Sequence, residues 1–142
     1  MRVILDTNVL LSALISPHGA PDTIYREWRE ARFHLVTSDI QLDELRRASR
    51  YAKFKGILQP RHVGEMVNNM NRAVVIGRLP PLPGGVEVND PNDAFLLAMA
   101  LAGEADYLVT GDHRAGLLQR GSIGRTRIVN PAAFCAEVIS RQ

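Results

Sequence analysis

Four short apolar runs punctuate the chain, and each ends on a small polar or acidic residue. Arg2–Leu5 runs into Asp6, Phe33–Thr37 into Ser38, Tyr107–Thr110 into Gly111 and Asp112, and Arg127–Val129 into Asn130. Runs of this length, aliphatic and without strict alternation, predict strands buried on both faces. A shorter strand is expected at Val86–Val88.

The segments between these runs read as helices. Asn8–Ile15 is apolar and helix-competent, and Ser16–Pro21 is a turn cluster. Pro21 suits the first turn of a helix through Arg32, with Ile24, Trp28 and Ala31 on one face. Ser38 opens the next helix, and Gln41 stands at capping-box spacing from it. A basic helical piece follows at Tyr51–Lys55. Val63, Met66, Val67 and Met70 are in helical register within a predicted helix over Arg61–Gly77. PPLPGG, at 80–85, is a loop. A helix from Asp90 to about Gly103 and a C-terminal helix carrying Phe134, Val138 and Ile139 complete the pattern. Strands alternate with helices, so the expected fold is a three-layer α/β/α sandwich with a mainly parallel sheet of four or five strands. At 142 residues, with no linker composition or repeat, residues 1–142 are expected to form one domain.

That fold gives the acids a common address. Open α/β sheets bind ligands beyond the carboxyl ends of their strands. Asp6 ends the first strand, and Asp112 follows a later one. Asp90 and Asp93 start a helix behind the Val86 strand, and Glu44 lies early in the helix after Thr37. Singly, each has a structural use: Asp90 as an N-cap before Pro91, Asp43 as an i,i+4 partner of Arg47 with Glu44 able to pair likewise, Asp112 in a Gly-Asp turn. Gathered at one rim they repel each other, and burying unpaired anions is costly. Immediately around Asp6, Asp93 and Asp112 the only counter-charge in the sequence is Arg114. Oxygen ligands without a Cys or His cluster suit Mg²⁺ or Mn²⁺ better than Zn²⁺.

Charge distribution adds a second feature. The net charge is +2, but Arg46, Arg47, Arg50, Lys53, Lys55, Arg61, Arg72 and Arg78 face a single acid, Glu65, between 46 and 78. That segment is therefore +7 and the remainder −5. Such asymmetry suits a polyanion, although a solvated helical face has the same composition. Tyr51 and Phe54 lie among the lysines, where they suit base stacking or core and dimer packing equally. The longest apolar run, Ala94–Ala102, is too short to span a bilayer. The strand that begins at the N-terminus leaves no room for a signal peptide, and Cys135 is the single cysteine. A cytoplasmic protein with an inert thiol is expected.

With these residues in view, the sequence resembles the PIN-domain family. The motifs are LDTNV, SDIQLDEL, DPNDAFLLAMAL and YLVTGD, in that order, within a likeness that runs from Leu5 to about Pro131. The nearest subgroup is the compact bacterial toxins of toxin–antitoxin pairs, including the VapC type. The resemblance implies an Mg²⁺- or Mn²⁺-dependent ribonuclease in which Asp6, Glu44, Asp93 and Asp112 form an acidic metal-binding quartet. It implies that Asn8 steadies the first Asp and that Thr110 is the hydroxyl residue before the last acid. Asp90 is either a cap or an outer ligand. Arg46, Arg47, Arg50, Lys53, Lys55 and Arg114 are candidates for contact with RNA, and His113 for contact with phosphate. A small antitoxin protein and a homodimer are the implied partners, the dimer also drawing on apolar helix faces near the N-terminus and over Val63–Met70.

Other readings compete. A haloacid-dehalogenase-like phosphotransferase needs a second Asp where Asn8 stands. It and a receiver domain both want a lysine at a later strand end, whereas the only lysines are Lys53 and Lys55. Flap nucleases are larger. A PIN module that only binds RNA or a partner has no use for four mutually repelling acids. RNA processing without a toxin role uses the same site and remains the alternative.

Overall fold

The computed structural model describes residues 1–88, 90–111 and 116–141, with the backbone alone for 91, 92 and 141. In chain order the elements are β1 (Arg2–Leu5), α1 (Thr7–Ile15), α2 (Ala20–Arg29), β2 (His34–Ser38), α3 (Asp39–Ala48), a 3₁₀ turn at Ala52–Phe54, α4 (Pro60–Met70), β3 (Val74–Ile76), α5 (Pro91–Ala102), β4 (Tyr107–Val109), α6 (Leu117–Arg120), β5 (Ser122–Ile123), β6 (Thr126–Val129), α7 (Pro131–Glu137) and a 3₁₀ turn at Ile139–Arg141. The six strands form one sheet in the order β3-β2-β1-β4-β6-β5. All neighbours pair in parallel except β5 with β6.

Period-2 alternation divides the core in two. Val3 and Leu5 of β1, Leu35 of β2, Val109 of β4 and Val129 of β6 face a layer built by α1, α2, α3, α4 and α7. Ile4, Val36, Leu108 and Ile128 face the opposite layer, built mainly by α5 and α6. Both faces are covered, which is why the strands read as continuous apolar runs. Phe134 anchors the first layer. It is fully buried, with Phe33 and Tyr107 edge-on at 5.8 and 5.4 Å. Burial of one such ring stabilises by roughly 1.5–3 kcal/mol.

The sandwich and its mainly parallel sheet are as expected, but the sheet has six strands. The helix predicted over Arg61–Gly77 stops at Met70, where Asn71 caps it, and Val74–Ile76 pairs with β2 as an edge strand. Three consecutive β-branched residues favour that outcome. No strand forms over Val86–Val88; Val86 and Val88 instead pack as loop residues against the second core layer. The basic piece near Tyr51–Lys55 is a single 3₁₀ turn. Asp43 pairs at 3.5 Å with Arg46, three residues on, rather than with Arg47. Val63, Met66, Val67 and Met70 pack into the chain's own core. Burial pushes the Cys135 thiol up, as befits an unreactive side chain. Among the described residues no helix is long and apolar enough to cross a membrane.

Candidate functional site

The strand order reverses direction between β1 and β4, since β2 and β3 extend to one side of β1 and β4, β6 and β5 to the other. A crevice is expected beyond the carboxyl ends of the two strands at such a point. Asp6 and Thr110 sit there. The Asp6 N–H donates to the Val109 carbonyl at 2.9 Å, which continues the β1–β4 ladder by one residue. The chain then turns into α1, and the Asp6 carbonyl accepts from the N–H groups of Val9 and Leu10. Asp6 thus occupies the N-cap position, yet its carboxylate caps nothing. It accepts instead from the Thr110 hydroxyl at 2.7 Å, and both residues are buried, at 7% and 0% exposed.

Glu44 approaches from α3. Its carboxyl is raised above the ordinary value, first by burial and then by the negative charge of Asp6, with Asp90 adding to the repulsion and Arg47 opposing it. The Thr7 hydroxyl lies beside Glu44 and favours its anion weakly, but the contact falls outside hydrogen-bond geometry. Glu44 Oε2 and Thr7 Oγ1 are both buried without a hydrogen-bond partner among the described residues. The structure therefore brings Asp6 and Asp90 within electrostatic reach of Glu44, and Arg47, a partner that the helical spacing already offers to Glu44, is the counter-charge. Asp93 is buried in the first turn of α5, and its N–H donates to the Asp90 carbonyl at 2.9 Å. Asp112, His113 and Arg114 lie outside the described residues.

A contrast comes from the other end of the sheet. Asp106 accepts from the Arg2 N–H at 2.9 Å and from Arg125 at 2.7 Å, and these partners hold its carboxyl below the usual range. That acid is an ordinary structural one. Glu44 is shifted the opposite way, which means that its charged form opposes folding. The cost is absent below the ordinary value of 4.5 and grows as pH rises above it, until the folded carboxyl has also ionised. Glu44→Gln should accordingly raise the melting temperature at pH 7 by about 1–3 °C, the partial exposure of the group limiting the gain. The gain should vanish below the ordinary carboxyl range. Thermal melts between pH 4 and pH 8 without divalent ions check this; a melting temperature lowered at pH 7 would contradict it.

The donors at this rim are oxygens, and two of them are buried and unsatisfied, so they fit a hard divalent cation. Among the described residues no three Asp, Glu, His or Cys side chains are close enough to form a complete cage. Mg²⁺ commonly binds through only one or two carboxylates and completes its shell with water and phosphate oxygens.

Two surface features stand beside these acids in the described residues. Exposed Asn8 lines a cleft of about 460 Å³ with Ser12, Pro21, Gly111 and Pro131. A groove of about 550 Å³ runs between the C-terminal end of α3 and α4, with Arg46, Arg50 and Lys55 on its walls and Leu58, Val63 and Val67 among its apolar lining. All eight cations of the +7 segment are exposed. Tyr51 is exposed, while Phe54 is half-buried against the core with Lys53 over its ring at 5.1 Å. Phe54 is thus largely committed to packing, and Tyr51 is the aromatic available to a ligand.

The capping-box spacing of Ser38 and Gln41 is half realised. The N-cap half of the capping box forms, with Ser38 Oγ accepting from the Gln41 N–H at 3.1 Å. The Gln41 side chain does not reach back to the cap. It runs into the sheet, where Nε2 donates to the Leu5 carbonyl at 2.6 Å and Oε1 accepts from the Thr37 hydroxyl at 2.7 Å. The one available signal was a long amide at a position facing two strand ends.

Known proteins bear on this geometry in three ways. No curated protein is similar enough to count as a match. A crystal structure of VapBC2 from Rickettsia felis bound to a DNA fragment from their promoter contains a chain similar in fold: 18% identity, TM-score 0.56, covering 92% of this chain and 98% of that one. The PIN-domain family model matches residues 2–114, which spans β1, the rim acids and the end of β4. The chain belongs to the PIN-domain family.

Proposed function

We propose that the protein is a divalent-cation-dependent endoribonuclease that acts through the acids at the carboxyl rim of the sheet. PIN domains are generally nucleases, so hydrolysis of a nucleic acid is the family-level expectation. The observation that carries the finer reading is the pairing of Asp6 and Glu44: two carboxylates from different elements, mutually repelling, with a buried orphaned oxygen on one of them. A fold has no structural use for that arrangement, and a cation relieves it.

In this reading Asp6 and Glu44 hold Mg²⁺ or Mn²⁺, with Asp93 and Asp112 as further ligands and Asp90 as an outer acid. The ion, when bound, supplies charge stabilisation at the scissile phosphate and lowers the pKa of water. The chain's own residues do the rest. Thr110 orients the Asp6 carboxylate through its hydroxyl. The carboxylates are available to accept the proton of the attacking water. Arg47 limits the negative charge at the rim, and Arg46, Arg50, Lys53 and Lys55 line the approach of the RNA backbone, where guanidinium forks fit phosphates. RNA rather than DNA as substrate, the antitoxin partner and the homodimer rest on the resemblance to VapC-type toxins.

The test is cleavage of labelled single-stranded RNA and DNA of matched sequence in Mn²⁺, in Mg²⁺ and in EDTA. RNA cleavage that needs the ion supports the proposal. Cleavage that persists in EDTA, or that is confined to DNA, would overturn it. The reading frame next to the gene separates the two biological roles: a small DNA-binding protein with a hydrophobic tail favours a toxin, and its absence favours RNA processing.

A further inference from the structure

We propose that Gln41 is a positioning residue that fixes Asp6 and Glu44 relative to one another; the proposal rests on the rim acids being the metal site. Three observations carry it. First, Gln41 Nε2 donates to the carbonyl of Leu5, and that carbonyl belongs to the same peptide unit whose N–H, on Asp6, donates to Val109. Both ends of the peptide leading into Asp6 are therefore pinned, the N–H by β4 and the carbonyl by α3. Second, Gln41 precedes Glu44 by three residues, about one turn of the same helix. A rotation or slide of α3 that moves Glu44 must break the bond to Leu5. Third, the amide is locked. Gln41 and Thr37 are fully buried and Leu5 is 1% exposed. A carbonyl can only accept, so the amide nitrogen must face Leu5 and its oxygen must face the Thr37 hydroxyl.

The β1–β2 ladder itself does not supply this link. Its register runs through Arg2–His34 and Val3–Leu35 and is not continued beside Leu5. A glutamine from the following helix occupies that place. Because a carboxylate pair must keep its spacing to share one ion, a loss of the amide is expected to act on ion affinity more than on folding. Partners that orient metal ligands typically matter by 10–100-fold in affinity.

The experiment compares Gln41→Met, which keeps length and removes both hydrogen bonds, with Thr126→Val. Thr126 donates to the Ala105 carbonyl at 2.6 Å, is 1% exposed, and begins β6 at the amino end of the parallel strands, away from the carboxyl rim. Both lose a buried hydrogen bond, but only one lies at the rim. Binding of Mn²⁺ alone is read by electron paramagnetic resonance, beside thermal melts. Gln41→Met should weaken Mn²⁺ binding at least tenfold, whereas Thr126→Val should lower the melting temperature and leave Mn²⁺ affinity within twofold of wild type. Equal weakening by both variants would reduce Gln41 to general stability, and unchanged affinity in a folded Gln41→Met protein would end the proposal. Should Gln41→Met not fold, Thr37→Val removes one half of the bridge and should weaken Mn²⁺ at least threefold, an effect within twofold being the refutation. Asp6→Asn separates the two levels. If it binds Mn²⁺ as well as wild type, the metal-site reading itself fails and this proposal with it; if it alone loses Mn²⁺, only the Gln41 link is wrong.

Discussion

Asp6→Asn is expected to cut metal-dependent RNA cleavage by roughly 10³-fold or more, the equivalent of losing several kcal/mol of charge stabilisation at phosphate. The substitution keeps the size of the side chain, and the amide oxygen can still accept from the Thr110 hydroxyl that now bonds Asp6 Oδ2 at 2.7 Å. Folding should survive, and the melting temperature should be unchanged or higher, because the charge that raises Glu44 is gone. Asp93→Asn and Asp112→Asn should behave alike, and double variants should be little worse than single ones, as for groups that act as a unit. Asp90→Asn should be milder, since Asn is nearly as good as Asp at the start of a helix. Cleavage assays with Mn²⁺ alongside melts check all of these. A well-folded Asp6→Asn protein with undiminished cleavage would show that the chemistry lies elsewhere.

The second large effect concerns binding. Reversal of Arg46, Arg47 and Arg50 to Glu should weaken single-stranded RNA binding at least about 100-fold near 0.1 M salt and reduce the slope of log K against log salt by about 2, the loss of three phosphate contacts. These side chains are exposed, so the fold should tolerate the change. Arg46 and Arg50 should act on RNA affinity alone, whereas Arg47 also faces Glu44. The triple variant should therefore show somewhat altered Mn²⁺ affinity, and a double variant at Arg46 and Arg50 should not. Filter binding over a salt series decides this. An unchanged affinity and slope would mean that the +7 segment is a solvated face or serves another partner.

Much of this was legible in the sequence because the signals were local. An apolar run that ends on a carboxylate at Asp6 is visible without a structure, and so is the serine that caps α3. The layer architecture followed from alternating runs and helical registers. What was not legible depended on competition between neighbours in space. Val74–Ile76 could extend the helix before it or pair with β2, and only the sheet edge decides. β5 is two residues long and exists because Ser122 and Ile123 meet β6 across a tight turn. Gln41 looks like half of a capping box until the strand ends it faces are known. The apolar face of α4 is visible in the sequence, but its place in the core is set by tertiary packing, which buries it. Arg47 stands three residues from Glu44, a spacing that signals proximity, yet the acidic partners Asp6 and Asp90 come from remote elements.

The most direct test of the central claim is to locate Mn²⁺ by its anomalous scattering in crystals of the wild-type protein. The account predicts a peak within metal–oxygen bonding distance, about 2.0–2.6 Å, of carboxylate oxygens of Asp6 or Glu44, at the switch point between β1 and β4, and its loss in Asp6→Asn crystals. A Mn²⁺ peak away from that rim, or one that persists unchanged in the Asp6→Asn protein, would contradict it.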